Sequence, residues 1–269
     1  MDKLIEILEK FKTNREDSIK KEDWKEKSAE EKYSSVADWF NHCAEEILCG
    51  GYFLVNGRYI IDLGCIELYY HEEDGSIKDY IMYHSKAHSS KSELCKDGYP
   101  YFKIGSFNLH QSGVDITFEN NDNLNDKYRA SFLIRSYRVL KTNNGDYPIG
   151  DKTKYDNCST HIFDDMFCEG ISFGTKNRTT IEWKELKSPK NEKIKKLPRK
   201  NVAKYLSNNV KDDKIEGDGR LINKNDYTME INKKKNDSSY IPKYINIGKK
   251  YYKQDMRPWQ FKLESINNL

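Results

Sequence analysis

One acidic residue within an apolar and aromatic run is the first feature of this sequence that suggests chemistry. The run is Ile66-Glu67-Leu68-Tyr69-Tyr70, and Glu67 is its single charged residue. A carboxylate in such a strand is ion-paired, faces solvent because side chains alternate, or is kept for chemistry. The pattern by itself leaves these three readings open.

Carboxylates on neighbouring strands also permit metal-dependent chemistry. Asp62, Glu67 and Asp115 would hold Mg²⁺ in a nuclease or a restriction-associated protein. Such an enzyme would want a lysine close to the acids on the same strand, and the sequence has none there. Several histidines lie near one another in the chain: His71, His84, His88 and His110. Their spacing matches no standard zinc site, so we expect no metal and no cofactor.

The charge balance limits what composition says about partners. The 269-residue chain has 46 Lys and Arg against 43 Asp and Glu, a net charge of +3. Nucleic-acid binding must therefore be argued from local clusters of basic residues. Aromatic residues make up 13% of this polar chain, which supplies rings for a core and for stacking.

The cysteines and the lack of apolar segments indicate the compartment. The six cysteines form no C-x-x-C pair, which favours reduced thiols in a cytoplasmic protein. The N-terminus has no apolar signal core, and no window approaches the roughly 18 apolar residues of a membrane span. We expect a cytoplasmic protein that makes no membrane contact.

A hairpin and two further strands would position the acidic residues. Asn56-Gly57 predicts a tight turn between strands at 53–55 and 59–70. The segment Val114–Phe118 alternates, with Asp115 and Thr117 on one face, and Tyr128–Leu140 predicts another strand. Strands outnumber helices, so the predicted class is α+β with a mostly antiparallel sheet.

The rest of the chain predicts helices before the hairpin and a polar region after it. Residues 3–12 form an amphipathic helix, and Ser34 or Ser35 would cap a second helix that ends at Gly50-Gly51. We expect a helical extension at 1–33 and a single domain at 34–269. Within that domain, composition favours a solvated Lys/Asn-rich insertion at about 184–240 over a basic face.

Several short blocks follow one another in a set order. They are the hairpin, Ile66-Glu67-Leu68-Tyr69, His84 after an acidic stretch, Asp115, Leu133-Ile134-Arg135, and Arg257-Pro258-Trp259-Gln260-Phe261. In this order they resemble the alkyladenine (3-methyladenine) DNA glycosylase family. The resemblance covers roughly residues 40–140 and the last twenty.

This resemblance implies a fold and an activity. The fold would be a single α+β domain with a mostly antiparallel, curved sheet and flanking helices, similar to methylpurine DNA glycosylases. The activity would be base-excision repair, in which a damaged purine is flipped out of double-stranded DNA and its N-glycosidic bond is hydrolysed. Glu67 would activate water and stabilise the oxocarbenium-like state. The protein would act as a monomer.

The same resemblance gives roles to further residues, beside plainer structural alternatives. Tyr69 and one of Phe102 or Phe107 would stack on the flipped base. His84 would contact the flipped nucleotide, or is a partly buried structural histidine. Arg135 would contact a phosphate or orient Glu67; its structural alternative is a salt bridge with Asp115. Asp115 itself stands where the family has a polar pocket residue. Candidate phosphate contacts are Arg135, Lys86, Lys103, Lys249, Lys250 and Arg257.

The family's Tyr-Gly-Met-like turn, which supplies a wedge for the DNA stack, has no clean match here. Phe107 is the substitute that we choose, and its alternative role is that of a core phenylalanine. A third function class also stays open: a non-catalytic nucleic-acid or protein-binding domain on the same fold.

Overall fold

Two long helices open the chain and cover one face of a curved sheet. The structure, a computed structural model, describes residues 1–72, 75–79, 81, 82, 99–110, 112–121, 127–167, 179–199, 221, 222, 244–247, 250–253 and 257–266. The architecture is α+β, with an antiparallel sheet curled into a half-barrel and few helices beside it. The predicted class is confirmed at this coarse level.

The N-terminal helix belongs to the main core. Helix α1 spans Asp2–Ile19 and helix α2 spans Ala29–Cys49, with a short 3₁₀ turn at Glu22–Glu26 between them. Leu4, Leu8 and Phe11 recur at helical spacing on α1 and are at most 1% exposed. They pack in one cluster with α2 and the sheet, so α1 is not set apart as the predicted extension.

Helix α2 begins earlier than the sequence predicts. Its N-cap is Ser28, whose Oγ accepts the backbone N–H of Glu31. The Glu31 carboxylate in turn accepts the backbone N–H of Ser28 at 2.7 Å, which completes a capping box. The predicted cap at Ser34 or Ser35 is wrong, because those serines lie inside a helix that the earlier box has already started.

The predicted hairpin forms and leads into a long strand. Strand β1 spans Gly51–Val55 and β2 spans Tyr59–His71. Asn56 and Gly57 adopt positive φ angles of 51° and 67°, as a tight turn requires. Since Val55 pairs with Tyr59, the loop has three residues, one more than the predicted two-residue turn.

The main sheet contains nine strands within the part of the chain that the structure describes. The remaining strands are β3 Phe107–His110, β4 Gly113–Thr117, β5 Arg129–Lys141, β6 Asn157–Cys158, β7 Ile181–Glu185, β8 Ile194–Leu197 and β12 Gln260–Leu263. The order along the sheet is β3-β4-β5-β2-β1-β7. Strand β12 pairs with β2 and β8, and β6 pairs with β5. A short helix, α3, spans Ile162–Phe167.

The two faces of the sheet carry different residues. Ile66, Leu68 and Tyr70 of β2 pack in the core with the helices. Glu67 and Tyr69 alternate to the opposite face, which we call the outer face. A register shift of β2 against β5 near Cys65 also places Asp62 there. In a regular strand, residues five apart would face opposite sides, so the bulge is what puts both acids on one face.

The first part of the Lys-rich region contributes a strand to the main sheet, although nearly all side chains of 184–199 are exposed or half-buried. Strand β8 pairs with β12 inside the main sheet. Arg199, just beyond β8, is fully buried and makes two hydrogen bonds, of 2.8 and 3.1 Å, to Asp79. Composition alone does not reveal these pairings, because the partners are distant in the sequence.

A second, three-stranded sheet lies in the C-terminal half. It contains β9 Leu221–Ile222, β10 Tyr244–Ile247 and β11 Lys250–Lys253, in the order β10-β11-β9. Among the described helices, none is both long enough and apolar enough to cross a membrane. The described cysteines, Cys43, Cys49, Cys65 and Cys158, are free thiols, as the sequence predicts.

Candidate functional site

Glu67 lies buried on the outer face and is held by three side chains. It is 1% exposed, on the β2 segment that pairs with β5 on one side and β12 on the other. Tyr69 Oη donates to Glu67 Oε2 at 3.1 Å, and Gln260 Nε2 donates to Oε1 at 3.1 Å. Arg135 Nε lies 3.4 Å from Oε1. We call these four residues the Glu67 cluster.

Each partner reaches Glu67 because of strand pairing. Gln260 of β12 is directly opposite Glu67, while Leu133 is its partner on β5. Arg135 is two positions further along β5 and therefore projects from the same face as Leu133. Of the three roles considered for Arg135, a salt bridge with Asp115 is not formed. Its salt bridge is with Glu67, which favours the role of orienting this carboxylate.

The raised pKa values of Tyr69 and Arg135 keep both side chains protonated, so that they can donate hydrogen bonds. Burial raises the pKa of Tyr69 well above the ordinary value for tyrosine, and the nearby Glu67 carboxylate raises it further. Burial, the largest single influence, disfavours the charged guanidinium of Arg135, but Glu67 together with Tyr69 and the nearby thiols outweighs it, so the pKa of Arg135 is raised. At neutral pH the carboxylate therefore faces a neutral phenol and a charged guanidinium.

The ring of Tyr69 is stacked against the guanidinium of Arg199. The guanidinium of Arg199 lies 4.8 Å from the centre of the Tyr69 ring and 5.0 Å from that of Trp259. Because Arg199 is fixed by Asp79, this stack links the Glu67 cluster to 75–79 and to the C-terminal strand.

A second carboxylate follows on the neighbouring strand. Asp115 of β4 and Glu67 of β2 both pair with Leu133 of β5, on either side of it. Two strand spacings separate them, so their Cα atoms are about 10 Å apart. His110 Nε2 lies 3.3 Å from Asp115 Oδ2, and both side chains are at least nine-tenths buried.

Two polar atoms near Asp115 are buried without a hydrogen-bonding partner in the described part of the chain. They are Nδ2 of Asn108, which pairs with Asp115, and Oγ of Ser131, which is opposite Tyr69 and Thr117. A buried polar atom left without a partner costs about 1–3 kcal/mol. The outer face between β3 and β5 is therefore rich in hydrogen-bonding capacity.

The structure does not gather all the predicted residues around Glu67. Phe107 lies on β3, and its ring packs against Phe53 at 6.1 Å and Phe167 at 5.5 Å. These contacts join it to the core face, which favours the core alternative over the wedge. Phe102 precedes β3 and donates its backbone N–H to Glu119.

The other predicted DNA contacts fall into two groups: residues that lie outside the described part of the chain, and residues whose exposure the structure gives. His84 falls outside the described residues, as do Lys86 and Lys249. Arg257 is 6% exposed, and its guanidinium is 3.5 Å from Asp79 and stacked on Trp259. Its predicted phosphate contact is wrong, because the charge is already paired inside the protein. Lys103 is exposed, as a phosphate contact requires.

The carboxylates proposed for a magnesium site do not converge. Asp62 and Glu67 lie about 15 Å apart along β2, and Asp62 is occupied by Arg138 and Lys190. Within the described ranges, no group of three or more His, Cys, Asp or Glu side chains could hold a metal ion. The geometry of these acids gives no support to the nuclease alternative.

Sequence reasoning missed Gln260, Asn108 and Ser131. Gln260 is 193 positions from Glu67, so no local pattern connects them. A usable signal was present for Gln260, since it interrupts the apolar residues of Trp259-Gln260-Phe261 much as Glu67 interrupts its own run.

Comparison of the chain with protein-family models, with curated proteins and with solved structures found no match. The resemblance to alkyladenine DNA glycosylases therefore rests on the order of the sequence blocks, and function has to be argued from the site.

Proposed function

We propose that this protein is a DNA glycosylase that hydrolyses the N-glycosidic bond of alkylated or otherwise damaged purines, with Glu67 activating the water. The observation that carries the proposal is the Glu67 cluster, a buried carboxylate fixed on a rigid strand by Tyr69, Arg135 and Gln260. Carboxylates positioned in this way stabilise oxocarbenium-like transition states and act as general bases.

In the proposed reaction, each of these groups has a role. As the bond from the sugar C1′ to the base nitrogen breaks, its electron pair leaves with the base and positive charge develops on the sugar. The Glu67 carboxylate stabilises this charge and takes a proton from the attacking water. Arg135 and Gln260 hold one carboxylate oxygen, and Tyr69 stays a neutral donor to the other because its pKa is raised. The carboxylate therefore cannot rotate away during the reaction.

The residues on β3 to β5 would recognise the flipped base. Asn108 and Ser131 each have a buried polar atom with no partner among the described residues, and Asp115 lies beside them. A base has donors and acceptors along its edge, and hydrogen bonds to it would offset the cost of burying these atoms. The ring of Tyr69 supplies a stacking surface between Arg199 and this region.

Release of a free base tests the proposal. Duplex DNA methylated at random is incubated with the full chain, with and without EDTA, and released bases are identified by chromatography. We expect free methylated purines in equal amounts with and without EDTA, and strands that break only after alkaline treatment of the abasic sites.

Two results would contradict the proposal. Strand cleavage that EDTA abolishes would identify the magnesium-dependent nuclease. Tight binding of the duplex with no base released, from methylated or deaminated DNA, would identify a non-catalytic binding domain.

A further inference from the structure

A large cavity lies on the outer face, at the hairpin end of the sheet, away from the Glu67 cluster. Its volume is about 1000 Å³, the upper end of the range for small-molecule sites. Strand β1, the end of β5, and the segments 144–155 and 184–192 line it. We call it the Asp62 cavity, after the fully buried carboxylate whose hydrogen-bonding partners line it.

The polar side of the cavity is a fixed charge network. Asp62 Oδ2 accepts hydrogen bonds from Arg138 at 2.8 Å, Tyr147 at 2.6 Å and Tyr155 at 2.7 Å. Its Oδ1 accepts one from Lys190 at 2.5 Å. Four donors on one carboxylate hold these side chains in a single arrangement, as a preorganised binding site requires.

The buried part of this network carries more positive than negative charge, whereas the rim of the cavity carries acids as well as lysines: Asp146, Asp151 and Glu185 are exposed there and Glu192 is half-buried. Arg138 and Lys190 are about nine-tenths buried and bring two positive charges to the single negative charge of Asp62. Lys190 donates to Asp62 and to the carbonyl of Leu48. An ammonium group has three N–H donors, so one has no acceptor among the described residues. Excess buried positive charge is unfavourable unless an anion balances it.

The walls of the cavity are aromatic and aliphatic. The rings of Tyr52 and Tyr147 lie 5.4 Å apart at 44°, and Leu54 continues this wall. Ile149, which also lines the cavity, is 96% exposed. Exposed lysines stand at the rim, among them Lys187, whose side chain is 93% exposed and lies 3.9 Å from the exposed carboxylate of Asp146.

We propose that the Asp62 cavity binds a nucleotide, with the base against Tyr52 and Tyr147 and the phosphate at Lys190 and the rim lysines. A nucleotide combines the planar ring that the walls fit with the negative charge that the network lacks. The ligand is either a free mononucleotide or one nucleotide of a single strand. The inference does not depend on the proposed glycosylase function, because it uses none of the Glu67 cluster.

Binding of AMP and of the pentanucleotide dA₅ to the full chain, measured by calorimetry, tests this proposal. Lys190→Gln removes the buried ammonium and should weaken binding at least about tenfold. Lys187→Glu reverses a rim charge and should weaken it about three- to tenfold. Lys25→Glu makes the same charge change at an exposed site of the 3₁₀ turn between α1 and α2 and should leave binding within about twofold of wild type. Lys187→Glu cannot disturb folding, because its side chain is in solvent.

The two ligands distinguish the sources of the nucleotide. Binding of AMP that both cavity variants weaken supports a free mononucleotide site. Binding of dA₅ alone, with the same sensitivity, supports a site for a single strand. Absence of binding for both ligands at millimolar concentration, or an equal loss in Lys25→Glu, overturns the proposal.

Discussion

At the scale of single residues, the two acids of β2 differ in what surrounds them. Asp62 is held by four donors, two of them cationic, and is fully buried within a structural network. Among the described residues, the partners of Glu67 are one guanidinium, at 3.4 Å, and two neutral donors. The surroundings therefore assign Asp62 to structure and leave Glu67 as the candidate for catalysis.

The structural role of Asp62 makes a stability prediction. In Asp62→Asn the buried charges of Arg138 and Lys190 lose their counter-ion, so we expect the free energy of unfolding to fall by about 3–5 kcal/mol. Urea unfolding followed by circular dichroism measures this change. Asp146→Asn, at an exposed carboxylate, should change stability by less than about 0.5 kcal/mol. Equal stability of the two variants would show that the network is not a structural centre.

At the scale of elements, local patterns were sufficient to predict the hairpin, the strand alternation and the two helices. Val114 and Ile116 face the core while Asp115 and Thr117 alternate away, because the period of a strand is two. Helix boundaries were less predictable, since the sequence offers three serines that could cap α2. Only Ser28 has a glutamate three positions later that returns the hydrogen bond.

The cap of α2 is a direct test at this scale. Ser28→Ala removes the side-chain acceptor for the Glu31 N–H and should cost about 0.5–2 kcal/mol of stability. The matched control is Ser34→Ala, at an exposed position inside the helix, where alanine is neutral or slightly stabilising. Thermal unfolding of both variants measures the difference. A larger loss of stability in Ser34→Ala would indicate that α2 is capped at Ser34.

The variant Phe107→Ala tests whether Phe107 packs in the core or acts as the wedge that enters the DNA stack. Its ring packs on Phe53 and Phe167 while remaining half-buried, so Phe107→Ala should cost about 2–3 kcal/mol, somewhat less than for a fully buried phenylalanine. A comparison with Phe163→Ala, at a more exposed ring of α3, controls for loss of aromatic surface. If Phe107→Ala were fully stable but unable to excise bases, Phe107 would be the wedge after all.

At the scale of the whole molecule, the site depends on pairings that local sequence does not encode. Gln260 meets Glu67, Arg199 meets Asp79 and Lys190 meets Asp62 across more than a hundred positions. Their residue types suggest solvated surface, and only the closing of β8 and β12 onto β2 gives these side chains buried partners. Glu67, Tyr69 and Arg135 were therefore predictable members of the cluster, whereas Gln260 was not.

Buried tyrosines give the whole molecule a characteristic response to alkali. Burial raises the pKa of Tyr69, Tyr70, Tyr137, Tyr147 and Tyr155 above the ordinary value of about 10. Above that pH the unfolded chain loses protons that the folded protein retains. The contribution of these tyrosines to the free energy of unfolding should therefore be constant below about pH 9 and fall steadily above pH 10.

Two measurements across pH 8–11.5 check this response: the free energy of unfolding in urea, and tyrosine ionisation by absorbance at 295 nm. Ionisation of the buried tyrosines should coincide with unfolding. Tyr155→Phe should make the fall in stability less steep, since one titrating group is removed. Ionisation of all the tyrosines near pH 10 in the folded protein would contradict their burial.

The excision rate of Glu67→Gln tests the central claim most directly. The amide keeps the size of the carboxylate but cannot take a proton from water, so the rate of base release in single-turnover experiments on methylated duplex should fall by at least about 10²–10⁴-fold. Glu185→Gln, at an exposed strand position, should keep the wild-type rate. A Glu67→Gln variant that excises bases as fast as wild type would show that Glu67 is not the catalytic base.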